Sequence, residues 1–105
     1  MGWTSASKGE VQEAVEADWI GIDHTLKTRL VTYLVEPEPA LIQRFGKMEN
    51  AFIVARLNDH VVFFDDIEED FGIAREADGS LVEATAYGNI ALALSEMEQL
   101  GLNDR

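Results

Sequence analysis

The stretch Phe63-Phe64-Asp65-Asp66-Ile67-Glu68-Glu69-Asp70 runs two aromatic rings into five carboxylates within six positions. Carboxylates crowded in this way can ligate a hard cation, share a proton as an acid pair, mimic nucleic acid or meet a basic protein surface. The calcium reading fails on spacing. An EF-hand-type loop needs oxygens at its first, third, fifth and twelfth positions and a glycine at its sixth. Starting at Asp66, the residues Glu68 and Asp70 fall into place, but Phe71 takes the glycine position and Ala77 the twelfth. Starting at Asp65 puts Ile67 third. No metal is therefore assigned, and a looser cation site stays as the weaker alternative.

Local geometry explains part of the acidity. Asp66-x-x-Glu69 has the spacing of a capping box with Asp as the cap. Phe64, Ile67 and Phe71 stand at i, i+3 and i+7, and Gly72 falls where a helical turn would end. FFDDIEEDFG therefore predicts a strand entering a helix of one or two turns, with its acids near the positive end of the dipole. That arrangement gives no reason for Glu68 and Asp70 to be acidic as well. The surplus points to a positively charged partner.

Other chemistry is poorly supplied. Asp23-His24 and Asp59-His60 are adjacent pairs, and neighbours on a helix or strand point apart, so neither predicts an acid–base dyad. The serines, Ser5, Ser7, Ser80 and Ser95, lie in no nucleophile motif. There is no phosphate-binding glycine loop and no cysteine, which excludes thiol chemistry, thiolate metal sites and disulfides. No enzyme and no cofactor is expected.

Charge is the dominant global feature: 20 acidic against 8 basic residues, a net charge of −12. From Asp59 to Asp104 there are twelve acids and a single Lys or Arg, Arg75. Such a surface repels nucleic acid and anionic lipid and steers cations and basic partners toward itself. No stretch approaches the roughly 20 apolar residues that span a bilayer. The N-terminal MGWTSASKGE lacks an apolar signal core, so a cytoplasmic protein with a flexible tail over 1–7 is expected.

The elements that must hold these residues read as one domain over 1–105. Ser7-Lys8-Gly9-Glu10 opens a helix with a capping box. Val11, Val15, Trp19, Ile22, Leu26, Leu30 and Tyr33 then recur at steps of three and four. Gly21 and Asp23 divide this stripe into helices at about 8–18 and 23–35, or kink a single helix. Pro37 and Pro39 stop it, and EPEP reads as a stiff connector. Ala40–Phe45 suggests an edge strand. Ala51, Ile53, Ala55 and Leu57 alternate with Phe52, Val54 and Arg56 in a second strand. Asn58-Asp59 is a two-residue turn, and HVVFF is a central strand, apolar on both faces. Phe71–Glu76 and Leu81–Ala86 flank the hairpin turn Asp78-Gly79. Asn89 caps a last helix at about 90–100, with Gly101 at C′.

The expected fold is thus α+β: an N-terminal helix or helix pair, an antiparallel β-meander of four to five strands and a C-terminal helix, in a two-layer sandwich. The helices cover one sheet face. Phe52, Val54 and Phe63 on the other need cover from a homodimer or a partner. The expected function is non-enzymatic binding of a basic protein, such as a toxin bound by an immunity- or antitoxin-like inhibitor. Asp65, Glu68, Glu69, Asp70, Glu76 and Asp78 are the contact residues. A self-associating structural domain and a small-ligand or cation-binding module are the rivals.

Overall fold

The computed structural model describes residues 7–65 and 68–103. Helix α1 (Lys8–Ile20) begins at the capping box: Ser7 Oγ accepts from the Glu10 N–H at 3.2 Å, and Glu10 Oε1 accepts from the Ser7 N–H at 2.9 Å. Gly21 caps its end. Asp23 opens α2 (His24–Leu30), its carboxylate accepting from the N–H groups of Thr25 and Leu26. A single 3₁₀ turn, Val31–Tyr33, then ends the helical stretch, short of the expected residue 35.

Five strands follow: β1 (Leu34–Arg44), β2 (Lys47–Leu57), β3 (His60–Asp65), β4 (Asp70–Ala77) and β5 (Ser80–Gly88). Helix α3 (Ile90–Asn103) closes the chain. EPEP lies inside β1 and is not a connector. The fixed φ of proline suits extended backbone, and its missing N–H is tolerated where a strand has only one neighbour. Over this stretch β1 pairs with β2 alone.

The sheet is not a layer of a sandwich but a closed barrel, in the order β1-β2-β3-β4-β5. Each strand pairs antiparallel with the next. An odd number of alternating strands leaves the first and last running the same way, so β1 meets β5 in parallel, at Ile42 opposite Leu81. The sheet closes because one face of its strands fits a narrow lumen. Ile42, Ala51, Ile53, Val61, Phe63, Ala74 and Leu81 fill it. Gly72 makes room for the largest of them: a Cβ there would lie 2.6 Å from the Thr85 carbonyl oxygen and 2.7 Å from Phe63 Cζ.

Part of the outer face of the barrel, on β2, β3 and β4, is covered by the chain's own helices. Val11 and Val15 of α1, and Ile90, Ala93, Leu94 and Met97 of α3, pack with Phe52, Val54, Val62, Phe64, Phe71 and Ile73. Phe52 and Val54, expected to need outside cover, find it here, while Phe63 turns into the lumen. A bulge in β2 resets the alternation. Ile53 stands opposite Phe63 and Ala55 opposite Val62, with Val54 the additional residue. Ala55 and Leu57 thereby join the helix side, where plain alternation had put them with Ala51 and Ile53.

The helix expected within FFDDIEEDFG does not form among the described residues. Glu68 and Glu69 make a turn, closed by the Glu69 N–H donating to the Asp65 carbonyl at 2.7 Å. Phe71 and Gly72 belong to β4. Phe64 and Phe71 are cross-strand partners, ring centroids 5.2 Å apart and planes at 59°. The proposed cap Asp66, together with Ile67 and Trp3, lies outside the described residues. Trp19 packs partly buried against the helix-side core.

Gly101 is not a C′ residue either. It sits inside α3, where Leu57 approaches so closely that a Cβ would lie 2.6 Å from Leu57 Cγ. The start of α3 is tied to α1: Asp18 Oδ2 accepts from the Ile90 N–H at 2.7 Å, and Asn89 Oδ1 accepts from the Leu92 N–H at 2.9 Å.

Candidate functional site

At one end of the barrel the β1–β2 turn and the connection from β3 to β4 face each other. Phe45 and Gly46 form that turn with φ of 54° and 73°, the double positive φ of a tight hairpin. Glycine adopts this freely, whereas a phenylalanine does so under strain. The Phe45 side chain is 91% exposed. Strain held on an exposed aromatic ring has no packing reason within the chain.

Below the turn, Arg44 sets the electrostatics. Its Nη2 donates to Asp65 Oδ2 at 2.5 Å and to Glu49 Oε1 at 2.9 Å, and its Nε donates to the same Glu49 oxygen at 3.2 Å. Asp65 is only 3% exposed. Its other oxygen accepts from the Glu68 N–H at 3.3 Å. This carboxylate therefore orders the loop and holds Arg44, and is not itself a surface group. The bonds to both carboxylates raise the Arg44 pKa, so the guanidinium stays charged.

A cleft of about 320 Å³ opens here, lined by Arg44, Phe45, Glu49, Asp65, Glu68, Asp70 and Ala86. Four carboxylates surround one guanidinium, an excess of three negative charges. Burial pushes the Asp70 carboxyl above its usual range, and the Asp65 charge adds to this while Arg44 opposes it. Incoming positive charge would relieve that repulsion.

Of the six contact residues read from the sequence, Asp65, Glu68 and Asp70 line this cleft, and Glu69 lies exposed on its loop with φ of 58°. Glu76 and Asp78 are at the opposite end of the barrel. Glu76 accepts two hydrogen bonds of 3.0 Å from Arg56, whose pKa is raised by Glu76 and Glu38 together. Asp78 occupies the β4–β5 turn with φ of 53°. Sequence reasoning missed Arg44, Phe45 and Glu49. A Phe-Gly pair following an alternating run was the available signal for the turn.

That opposite end holds a second cluster. Asp59 Oδ1 approaches His60 Nδ1 to 3.2 Å, and Arg75 reaches Asp59 at 4.0 Å and Glu83 at 3.1 Å. At Asp59-His60 the adjacent side chains approach because Asp59 belongs to the turn and His60 to the strand, whereas Asp23 turns to the N–H groups of Thr25 and Leu26. The small cavity beside them, about 140 Å³, is lined by His60, Ile73, Ala74, Arg75, Glu83 and Leu100. None of these is a hydroxyl or thiol nucleophile for an Asp–His pair to activate. Among the described residues no three His, Asp or Glu side chains come together to hold a metal ion. No helix among them is long and apolar enough to cross a membrane.

No protein-family model matches this chain, and neither a curated protein nor a solved structure shows significant similarity to it.

Proposed function

We propose that this chain is a non-enzymatic cytoplasmic protein that captures a basic protein partner at the acidic end of its barrel. The observation that carries the reading is the cleft in which Glu49, Asp65, Glu68 and Asp70 outnumber Arg44, rimmed by the strained, exposed ring of Phe45. A lysine or arginine entering it meets the carboxylates of Glu68 and Asp70, while its stem and neighbours pack on Phe45. Long-range attraction follows from the net charge of −12. One concrete form is an immunity- or antitoxin-like inhibitor that covers the cationic active site of a toxin. Calorimetric titration with lysine-rich protein domains at low and high salt tests the reading. Binding is expected at low salt, and E68Q/E69Q/D70N is expected to weaken it by about tenfold or more, roughly the worth of one or two charge-assisted contacts. Equal affinity of variant and parent, or no binding of any cationic domain, overturns it.

A self-associating domain is the second reading. It rests on Leu41, Phe45 and Met48, which leave apolar surface exposed on one hairpin. Sedimentation as a tight dimer that F45N dissolves would favour it. A cation-binding module using the same cleft would instead show a melting temperature that rises with added calcium or magnesium.

A further inference from the structure

The acidic cleft exposes backbone as well as side chains. β1 and β5 register at one position, Ile42 opposite Leu81. Ile42 stands near the end of β1, and Leu81 near the start of β5. The two strands are therefore strongly staggered: β5 runs on past the end of β1 by about five residues, or about 16 Å at strand rise. On its other side β5 stays bound to β4, through Ile73 opposite Thr85, Gly72 opposite Ala86 and Phe71 opposite Gly88. Toward β1, no described strand pairs with this run. Thr85 and Ala86 are exposed, and Ala86 lines the cleft.

The stagger leaves a complementary free edge on the early part of β1, and the two edges are built differently. The β1 edge carries Glu36, Pro37, Glu38 and Pro39, charges and missing donors that block strand addition. Ala84-Thr85-Ala86-Tyr87 contains no proline and no charge. On the β4 side the register shifts between Val82 and Thr85 and again between Ala86 and Gly88.

We propose that this edge of β5 takes an extended, basic segment of the partner as a sixth strand. The proposal rests on the reading of the cleft as a site for a basic protein, and names the form in which that protein is held. Main-chain hydrogen bonds to β5 supply affinity, and alternate side chains of the guest meet the carboxylates across the cleft. The guest strand can lie antiparallel to β5, and antiparallel pairing is the more stable kind. A second copy of this chain is disfavoured as the guest, because it brings another −12 charges and the same acidic cleft.

The probe is a synthetic ten-residue peptide of alternating lysine and valine, with two further versions N-methylated at all odd or all even positions. Its affinity for the full chain is read by fluorescence anisotropy, and amide hydrogen exchange is followed by NMR. The parent peptide is expected to bind and to slow exchange at alternate amides of Ala84–Tyr87 by about tenfold or more. N-methylation on one parity is expected to weaken binding about tenfold, and on the other about threefold at most, since only one edge of the guest faces β5. If both methylated peptides bind alike, or if protection appears at Glu68–Asp70 and not on β5, the sixth strand is overturned while the acidic binding face stands. If no lysine-rich peptide or domain binds, both fall. If β5 amides are protected without peptide and the chain sediments as a dimer, the occupant is a second copy and the proposal is overturned.

Discussion

Replacing Arg44 by methionine keeps the volume of the side chain and removes its charge. Asp65 is 3% exposed and takes a hydrogen bond from that guanidinium, so the substitution removes the guanidinium from beside a buried carboxylate that shares its cleft with Glu49 and Asp70. Breaking a buried pair from one side costs about 3–5 kcal/mol. Arg44 is one-fifth exposed, so water softens the loss toward the lower figure, about 3 kcal/mol. The part-buried bond to Glu49, 29% exposed, adds about 1 kcal/mol at most. Against a total stability of about 5–15 kcal/mol the variant still folds. With a urea dependence of about 1–3 kcal/mol per molar, its midpoint at neutral pH falls by about 1–3 M. Asp65→Asn keeps an acceptor for the Glu68 N–H, and combined with Arg44→Met it removes the buried negative charge along with its counter-charge. The double variant is therefore expected to regain more than half of the loss. The coupling should exceed about 1 kcal/mol. If the two single substitutions each cost less than about 1 kcal/mol and simply add, Arg44 and Asp65 are an ordinary surface pair and the account of the cleft is wrong.

Three other perturbations follow from the same geometry. Gly72→Ala is expected to destabilise by about 2–3 kcal/mol in urea titration, because the new methyl group meets the fixed Thr85 carbonyl as well as the Phe63 ring. Adding Phe63→Leu should recover only part of this. Phe45→Asn suits the positive φ of 54° and is expected to stabilise by about 1 kcal/mol while weakening capture of a basic protein, read by paired urea and binding titrations. Asp70 has a folded-state pKa raised by burial and by Asp65. Its ionised form therefore costs stability above that folded value, and the cost vanishes below the ordinary carboxylate value of 3.8. Asp70→Asn should raise the melting temperature at pH 7, with the gain shrinking as pH falls through the carboxylate range.

Local chemistry was legible in the sequence where a short spacing decides it. The capping box at Ser7, the helix start at Asp23, the turns at Asn58-Asp59 and Asp78-Gly79 and the C-terminal helix all stand where their residues imply. Closure was not legible. A period of two shows that HVVFF is apolar on both faces, but not whether the second face meets a lumen, a helix or another chain. The bulge at Val54 reassigned Ala55 and Leu57, and nothing in the alternation announces it. The acids at 65–70 were visible as a cluster, while the cation holding Asp65 lies 21 residues away and only the fold brings it in. Phe45 was read as strand because phenylalanine is not a turn former, and that mismatch between residue and conformation is what makes it a candidate contact.

The single rung joining Ile42 to Leu81 also governs the order of events when the chain folds. Four ladders link strands that follow one another in sequence, three of them through two-residue turns, so each can zip up with little loss of chain entropy. The fifth joins residues about 40 positions apart and gains almost nothing until the others are in place. On loop-closure grounds it is expected to form after the four hairpin ladders, and amide hydrogen exchange at Ile42 and Leu81 would report whether it opens before them.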